Sequence, residues 1–168
     1  MSKNKKQIPK SAYNPTSRQP RIEHEPNSGK QVRAKENPGS TDHQTPAWQF
    51  HRCDEDHSLW GWGKLTEKQH LDIIKSLHGF ERTTWTQIKQ AAGGRSSGTN
   101  SHPLPIDGFN KNAIKRLQEL KLDDIDELFS LRLNNTLRLY GIKDGRVLRF
   151  IWHDPHHGST QGAYPTKK

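Results

Sequence analysis

Arginine, tyrosine and histidine side chains recur at even spacings within the apolar segments of the last third of this sequence. Side chains two residues apart lie on the same face of a β-strand. Alternation therefore predicts one polar face that carries Arg132, Arg138, Tyr140, Arg149 and His153. This predicted face holds no carboxylate, whereas a solvated face usually carries both signs of charge, so we expect it to bind anions. An ordinary half-exposed sheet is the alternative interpretation.

These side-chain types suit cleavage of RNA without a metal. The reaction needs a base for the proton of the ribose 2′-hydroxyl, cations for the phosphorane and an acid for the leaving 5′-oxygen. Histidine can serve either proton-transfer role near neutral pH, so we assign His153 to one role and His156 or His157 to the other. The three arginines would bind phosphate, and Tyr140 would donate a hydrogen bond or stack on a base. A polar C-terminal loop is the alternative interpretation of His156 and His157.

Metal binding is a further alternative for residues 153–157, because histidine and aspartate are ligand types that suit zinc or manganese. Adjacent ligands on a proline-containing turn rarely converge on one ion, so we predict neither a metal nor a cofactor. The acidic segment 54–56 lies between His51 and His57. It has neither the spacing of a calcium loop nor a zinc-protease motif, and it is interpreted as a solvated loop.

Three apolar runs must position the candidate residues. They span 128–133, 137–142 and 146–152, and each is rich in leucine, isoleucine, valine or aromatic residues. Asn134 and Asn135 suit the first turn because asparagine tolerates positive φ, and Asp144-Gly145 favours a tight hairpin in the second. The pattern predicts a three-stranded antiparallel meander.

Helical signals precede the meander. Thr66 begins a capping-box pattern with Gln69, and an amphipathic segment follows Asn110. The sequence therefore predicts an α+β fold in which a small antiparallel sheet packs against two or three helices. The C-terminal three-stranded meander, with an N-terminal strand or hairpin, forms that sheet.

Charge and composition favour a polyanionic partner. The 168-residue chain has a formal net charge of +9, which attracts nucleic acid or an acidic protein. Cys53 is the only cysteine, so neither an intramolecular disulfide nor a thiolate-rich metal site can form. No apolar run reaches the length of a membrane span, and no apolar signal core follows Met1. We expect a cytoplasmic protein with no membrane partner.

Composition also predicts three regions. Residues 1–45 are rich in proline and polar residues, and nine lysines and arginines against four acidic residues give this segment +5. We expect a disordered basic tail, which either improves solubility or contacts phosphates. Residues 46–158 should form a single α+β domain, and residues 159–168 a flexible C-terminal tail.

Residues 110–157 resemble the RelE/ParE toxin superfamily. The resemblance is carried by segments 131–133, 138–142 and 147–153, which read Leu-Arg-Leu, Arg-Leu-Tyr-Gly-Ile and Val-Leu-Arg-Phe-Ile-Trp-His. It implies helices followed by an antiparallel sheet, and either cleavage of mRNA, often on the ribosome, or poisoning of DNA gyrase. It also implies a cognate antitoxin that blocks the active face. Members that cleave RNA need no metal and use basic residues with a tyrosine or histidine.

This chain departs from the family pattern in its length, in its many histidines at 153–157 and in its lack of a tyrosine at the end of the last strand. Tyr164 lies instead in the predicted C-terminal tail. We expect a toxin of a toxin–antitoxin system that acts as a metal-independent endoribonuclease on mRNA. The alternative is a non-catalytic module that binds nucleic acid or protein through the same basic face, for example as a gyrase-type inhibitor.

Overall fold

A mixed sheet of five strands forms the centre of the computed structural model, which describes residues 39–91 and 101–165. In chain order the strands are β1 (Ala47–Gln49), β2 (His102–Pro105), β3 (Glu127–Arg132), β4 (Arg138–Asp144) and β5 (Val147–Asp154). Their spatial order is β1-β5-β4-β3-β2, with β1 parallel to β5 and the other neighbours antiparallel. The α+β class and the meander β3-β4-β5 are confirmed, and the predicted N-terminal strand joins the sheet as β1.

The three helices are α1 (Glu67–Phe80), α2 (Trp85–Gln90) and α3 (Lys111–Glu119). Thr66 and Thr84 begin α1 and α2 with capping boxes, and Asn110 begins α3 by accepting a hydrogen bond from the Ala113 N–H. These side chains satisfy backbone donors that the first helical turn leaves unpaired. In the two described ranges, no helix combines the length and the apolar character that crossing a membrane requires.

Helices cover the sheet on both sides. Helices α1 and α2 bury Ile73, Leu77, Trp85 and Ile88 against one side, which we call the first face. The other side, the second face, is covered by Ala113 and Leu117 of α3, by Ala163 of the C-terminal segment, and by Trp60 and Phe109 from connecting segments. The side of the sheet that carries Arg132, Arg138 and Tyr140 is therefore covered, and a basic site must lie at an edge or an end of the sheet.

A β-bulge in β5 determines which side chains share a face. Tyr140 pairs with Trp152, whereas the next residue, Gly141, pairs with Phe150, so Ile151 is an extra residue. Both Ile151 and Trp152 pack in the second-face core, while Phe150 packs in the first-face core. The bulge reverses the predicted alternation from Trp152 onward.

The folded region extends beyond both predicted boundaries. Of the predicted tails, residues 1–38 and 166–168 lie outside the described residues. Within residues 39–45, the Asp42 carboxylate accepts hydrogen bonds from Lys89 at 2.7 Å and Lys143 at 3.3 Å. Within residues 159–165, Ala163 is fully buried and accepts a backbone hydrogen bond from Asn110 at 3.0 Å.

Candidate functional site

Four of the predicted site residues come together where β3 turns into β4. Arg132 ends β3, Arg138 begins β4, and the two are direct partners in the strand register. Tyr140, two residues further along β4, shares a hydrogen bond of 2.7 Å between its hydroxyl and Nδ1 of His157. His157 is anchored at the same turn because its backbone N–H donates to the Thr136 carbonyl at 3.1 Å. We call Arg132, Arg138, Tyr140 and His157 the arginine–histidine cluster.

The asparagine turn orients both guanidinium groups. The Asn134 carbonyl accepts hydrogen bonds from Arg132 Nε at 3.2 Å and from an Arg138 terminal nitrogen at 2.5 Å. Asn135 adds a contact from its side-chain oxygen to Arg132 at 2.8 Å. Asn134 Oδ1 meanwhile accepts the backbone N–H groups of residues 136 and 137, which fixes the turn. The residues that link the two strands therefore also hold the cations.

Burial and like charge disfavour the charged forms in this cluster. Arg138 is only 3% exposed, and burial lowers its pKa, with a further contribution from the neighbouring charge of Arg132. Burial also lowers the pKa of His157 to about 4, and the charges of Arg138, His102 and Arg132 act in the same direction. At neutral pH the His157 ring is thus uncharged. The nearby cations contribute less to this than burial does.

One buried carboxylate lies beside the cluster, contrary to the prediction of a face without acidic residues. Asp154 pairs with Arg138 in the β4–β5 register and is fully buried. Its oxygens accept backbone N–H groups of His156 and Ala163, each at 2.8 Å. Burial raises the pKa of Asp154, although these two hydrogen bonds and the nearby cations oppose the rise. Burial likewise raises the pKa of Tyr140, which therefore keeps its proton at neutral pH.

Sequence reasoning missed two residues of the site. His102 on β2 pairs with Ser130 on β3, and the Ser130 side chain is a hydrogen-bond partner of Tyr140. The charge of His102 contributes to the lowered pKa of His157, so the two histidines lie within electrostatic reach. The β2–β3 pairing joins residues far apart in sequence, and no local pattern marks His102 as a neighbour of the meander's polar residues.

His153, the first choice for proton transfer, is not in the cluster. The bulge at Ile151 turns it toward the first face, where its ring lies edge-on to Trp62 at a centroid distance of 6.2 Å. The side chain is 4% exposed, and burial lowers its pKa to about 4. Within the described residues its Nδ1 atom has no hydrogen-bond partner. This placement contradicts the predicted shared face.

Arg149 and His156 also lie apart from the cluster. Arg149 is near the opposite end of β5, where it donates to Asp144 at 2.6 Å and to Gln49 at 3.2 Å. His156 is exposed on the turn after β5, and its backbone N–H supports Asp154. Of the seven predicted site residues, the structure therefore brings together Arg132, Arg138, Tyr140 and His157.

A second charged cluster lies under α3, and we call Asp54, Arg116 and Trp152 the aspartate cluster. Arg116 donates two hydrogen bonds to Asp54, at 2.7 and 2.8 Å, and the Trp152 indole donates a third at 2.9 Å. Asp54 is 2% exposed, so its assignment to a solvated loop is wrong. Burial alone would raise the pKa of Asp54, but the bonds from Arg116 and Trp152 outweigh burial and lower it to about 2.

Neither cluster has the geometry of a metal site. Among residues 39–91 and 101–165, no group of three or more histidine, cysteine, aspartate or glutamate side chains could hold an ion. The structure also contradicts the alternative that residues 153–157 bind one metal ion, because the side chains of His153 and Asp154 point to different faces of the sheet.

Comparisons with protein-family models, with curated proteins and with solved structures found no match for this chain. The fold and the site alone therefore define its class, which is an α+β protein with helices on both faces of a mixed sheet and a partly buried cationic cluster at the β3–β4 turn.

Proposed function

We propose that this protein is a metal-independent endoribonuclease of the RelE/ParE type, and that the arginine–histidine cluster is its active site. The observation that carries the proposal is the convergence of Arg132 and Arg138 on a histidine that is hydrogen-bonded to Tyr140. Two guanidinium groups suit the oxygens of a phosphodiester, and an uncharged imidazole beside them suits removal of a proton. The proposed substrate is mRNA, on or off the ribosome.

The proposed reaction is transesterification within the RNA. With its proton on Nδ1 and donated to the Tyr140 oxygen, His157 presents a lone pair on Nε2 to the ribose 2′-hydroxyl. As Nε2 takes that proton, the 2′-oxygen bonds to phosphorus and the bond from phosphorus to the 5′-oxygen breaks. His102 then gives a proton to the leaving 5′-oxygen. The products are a 2′,3′-cyclic phosphate and a 5′-hydroxyl, and Arg132 and Arg138 stabilise the phosphorane between them.

The low pKa of His157 fits this role once RNA is bound. In the free protein the nearby cations help to keep the pKa at about 4, where imidazole is a weak base. The negative charge of a bound phosphodiester offsets the contribution of those cations and so raises the pKa, while burial continues to lower it. The base therefore strengthens when substrate is present.

The test is cleavage of labelled single-stranded RNA by purified protein in EDTA, with His157→Ala compared with His156→Ala. We expect cleavage to end in a 2′,3′-cyclic phosphate and to fall about 10²- to 10⁴-fold in His157→Ala, the usual contribution of a general base. His156→Ala removes the exposed neighbouring ring, and its activity should stay within about three-fold of the original. Equal activity in both variants, with circular dichroism showing both folded, would refute the assigned site.

A non-catalytic binding module is the second candidate, and burial favours it. Tyr140 is fully buried and Arg138 nearly so, which limits how closely a substrate approaches them. In that case the same cations would hold a nucleic acid or an acidic protein such as a gyrase subunit without turnover. RNA that binds with steep salt dependence but is not cleaved, in buffer or in a translation extract, would support this candidate. The proposed cognate antitoxin would cover the arginine–histidine cluster under either function, in the cytoplasm.

A further inference from the structure

We propose that a separate basic cleft, at the opposite end of β4 and β5 from the arginine–histidine cluster, binds a phosphate and base of single-stranded RNA. This inference rests on the proposed function, because the RNA that fills the cleft is the strand that continues from the cleavage site. The cleft has a volume of about 630 Å³. This lies within the usual range of small-ligand sites, so one nucleotide fits.

Charge and shape of the cleft suit a nucleotide. Arg52, Lys121 and Arg149 line it with three positive charges, which are opposed by Asp124 in the lining and by Asp144, the acceptor of a hydrogen bond from Arg149 at 2.6 Å. Between them lie apolar side chains from β4 and from the loop after α3, including Ile142. Cations at the rim match a phosphate, and an apolar floor offers a surface on which a base can lie.

Lys121 occupies a backbone position that favours glycine. It has a φ of +57° and is the only described non-glycine residue with positive φ. Its N–H donates to the Gln118 carbonyl, and the Leu122 N–H donates to the Leu117 carbonyl, which is the Schellman pattern that ends α3. A lysine here strains the backbone but directs a cation to the cleft, and strained residues concentrate at functional sites.

Arg149 is held in place before any ligand arrives. Its guanidinium contacts Gln49, its register partner on β1, and Asp144 near the β4–β5 turn. A preoriented guanidinium loses less side-chain entropy when it binds an anion. The parallel pairing of β1 with β5 therefore builds one wall of the cleft.

Both sites belong to the second face of the sheet. Tyr140 and Ile142 alternate on β4 and pack in the same core, so the cleft and the arginine–histidine cluster face the same side. Arg138 and Ile142 are four residues apart, which corresponds to roughly 13 Å along a strand. Because α3 and the C-terminal segment cover the face between the two sites, an RNA that occupies both must pass around them.

The experiment measures binding of a fluorescent 12-nucleotide 2′-O-methyl oligouridylate, which cannot be cleaved because it has no free 2′-hydroxyl. The variant Arg52→Gln/Lys121→Gly removes two cleft charges. The matched control, Arg82→Gln/Lys75→Gln, removes the same charge from exposed residues in and beside α1, on the opposite side of the sheet. Because Lys121→Gly relieves the left-handed strain, the cleft variant should melt no lower than the unmodified protein.

We expect the cleft variant to bind the oligonucleotide at least about ten-fold more weakly at 0.1 M salt. The slope of log K against log salt should decrease by about 1.4, since each phosphate contact on a single strand contributes about 0.7. The control should change affinity by less than about two-fold. Equal weakening in both variants, or no binding by the unmodified protein, would overturn the cleft proposal. Failure of the protein to cleave any RNA would refute only the proposed function, because this assay needs no turnover.

Discussion

Two charged clusters lie against the second face of the sheet, and they differ in how their charges are matched. In the aspartate cluster, a buried carboxylate meets a guanidinium through two hydrogen bonds and an indole through a third. In the arginine–histidine cluster, two guanidinium groups are neighbours that donate hydrogen bonds to carbonyl and amide oxygens of the asparagine turn, and the buried Asp154 carboxylate lies nearby. A matched cluster stabilises the fold, and the neighbouring cations are where we propose that an anion binds.

The pKa shifts express the same difference. Hydrogen bonds from Arg116 and Trp152 outweigh burial and lower the pKa of Asp54 to about 2, so the ionised form favours folding at neutral pH. Burial and Arg132 lower the pKa of Arg138, so its charged form costs stability. This cost is one of the observations behind the anion-binding role that we propose for the arginine–histidine cluster.

The largest expected effect is a difference in unfolding free energy between a variant of the aspartate cluster and a variant of the arginine–histidine cluster. Arg116→Met leaves Asp54 buried without its partner and should cost about 3–5 kcal/mol of unfolding free energy. Arg138→Met removes a desolvated cation that Arg132 repels, and should cost less than about 1.5 kcal/mol, the value of the hydrogen bonds lost at the turn. Urea unfolding at pH 7 measures both. Equal losses would contradict the distinction between a matched and a crowded cluster.

A smaller effect is expected at the β-bulge between β4 and β5. A Cβ atom on Gly141 would lie 2.3 Å from the Arg149 carbonyl oxygen, so Gly141→Ala should cost about 1–3 kcal/mol and disturb the β4–β5 register. Gly79→Ala is the matched control. Gly79 lies in α1, and a Cβ atom there would have no neighbour within 4 Å apart from the helix's own backbone. That variant should stabilise the protein by about 0.5–1 kcal/mol. A stable, fully active Gly141→Ala protein would show that the bulge does not position the site.

The smallest effect is a dependence of stability on pH. His153 and His157 have pKa values of about 4 in the folded protein and near 6.5 when unfolded. Between these values the unfolded chain binds more protons, so stability falls as pH falls from about 6.5 to 4. His157→Gln should reduce the loss between pH 6.5 and pH 5.5 by roughly 1 kcal/mol in urea titrations. Asp54, with its pKa of about 2, contributes to acid unfolding only below about pH 4.

Local patterns predicted the elements but not the contacts between distant segments. The turn signals placed the meander, and the capping box at Thr66 placed the start of α1, because both depend on neighbours within a few residues. The pairing of His102 with Ser130 and of Asp54 with Arg116 depends on the tertiary fold, which local periodicity does not encode. The bulge at Ile151 moved His153 out of the site. The one sequence signal for this bulge is Gly141, since a glycine inside a strand often marks such an irregularity.

The most direct test of the central claim is the pKa of His157, measured by NMR on the imidazole ring and assigned with His157→Gln. The crowded cluster predicts a pKa of about 4 in the free protein and a rise of at least about one unit when a 2′-O-methyl dinucleotide occupies the site. Arg138→Met should raise the pKa in the free protein, because after burial the charge of Arg138 is the largest cause of the lowered pKa. A pKa near 6.5 that neither the dinucleotide nor this substitution changes would contradict the account.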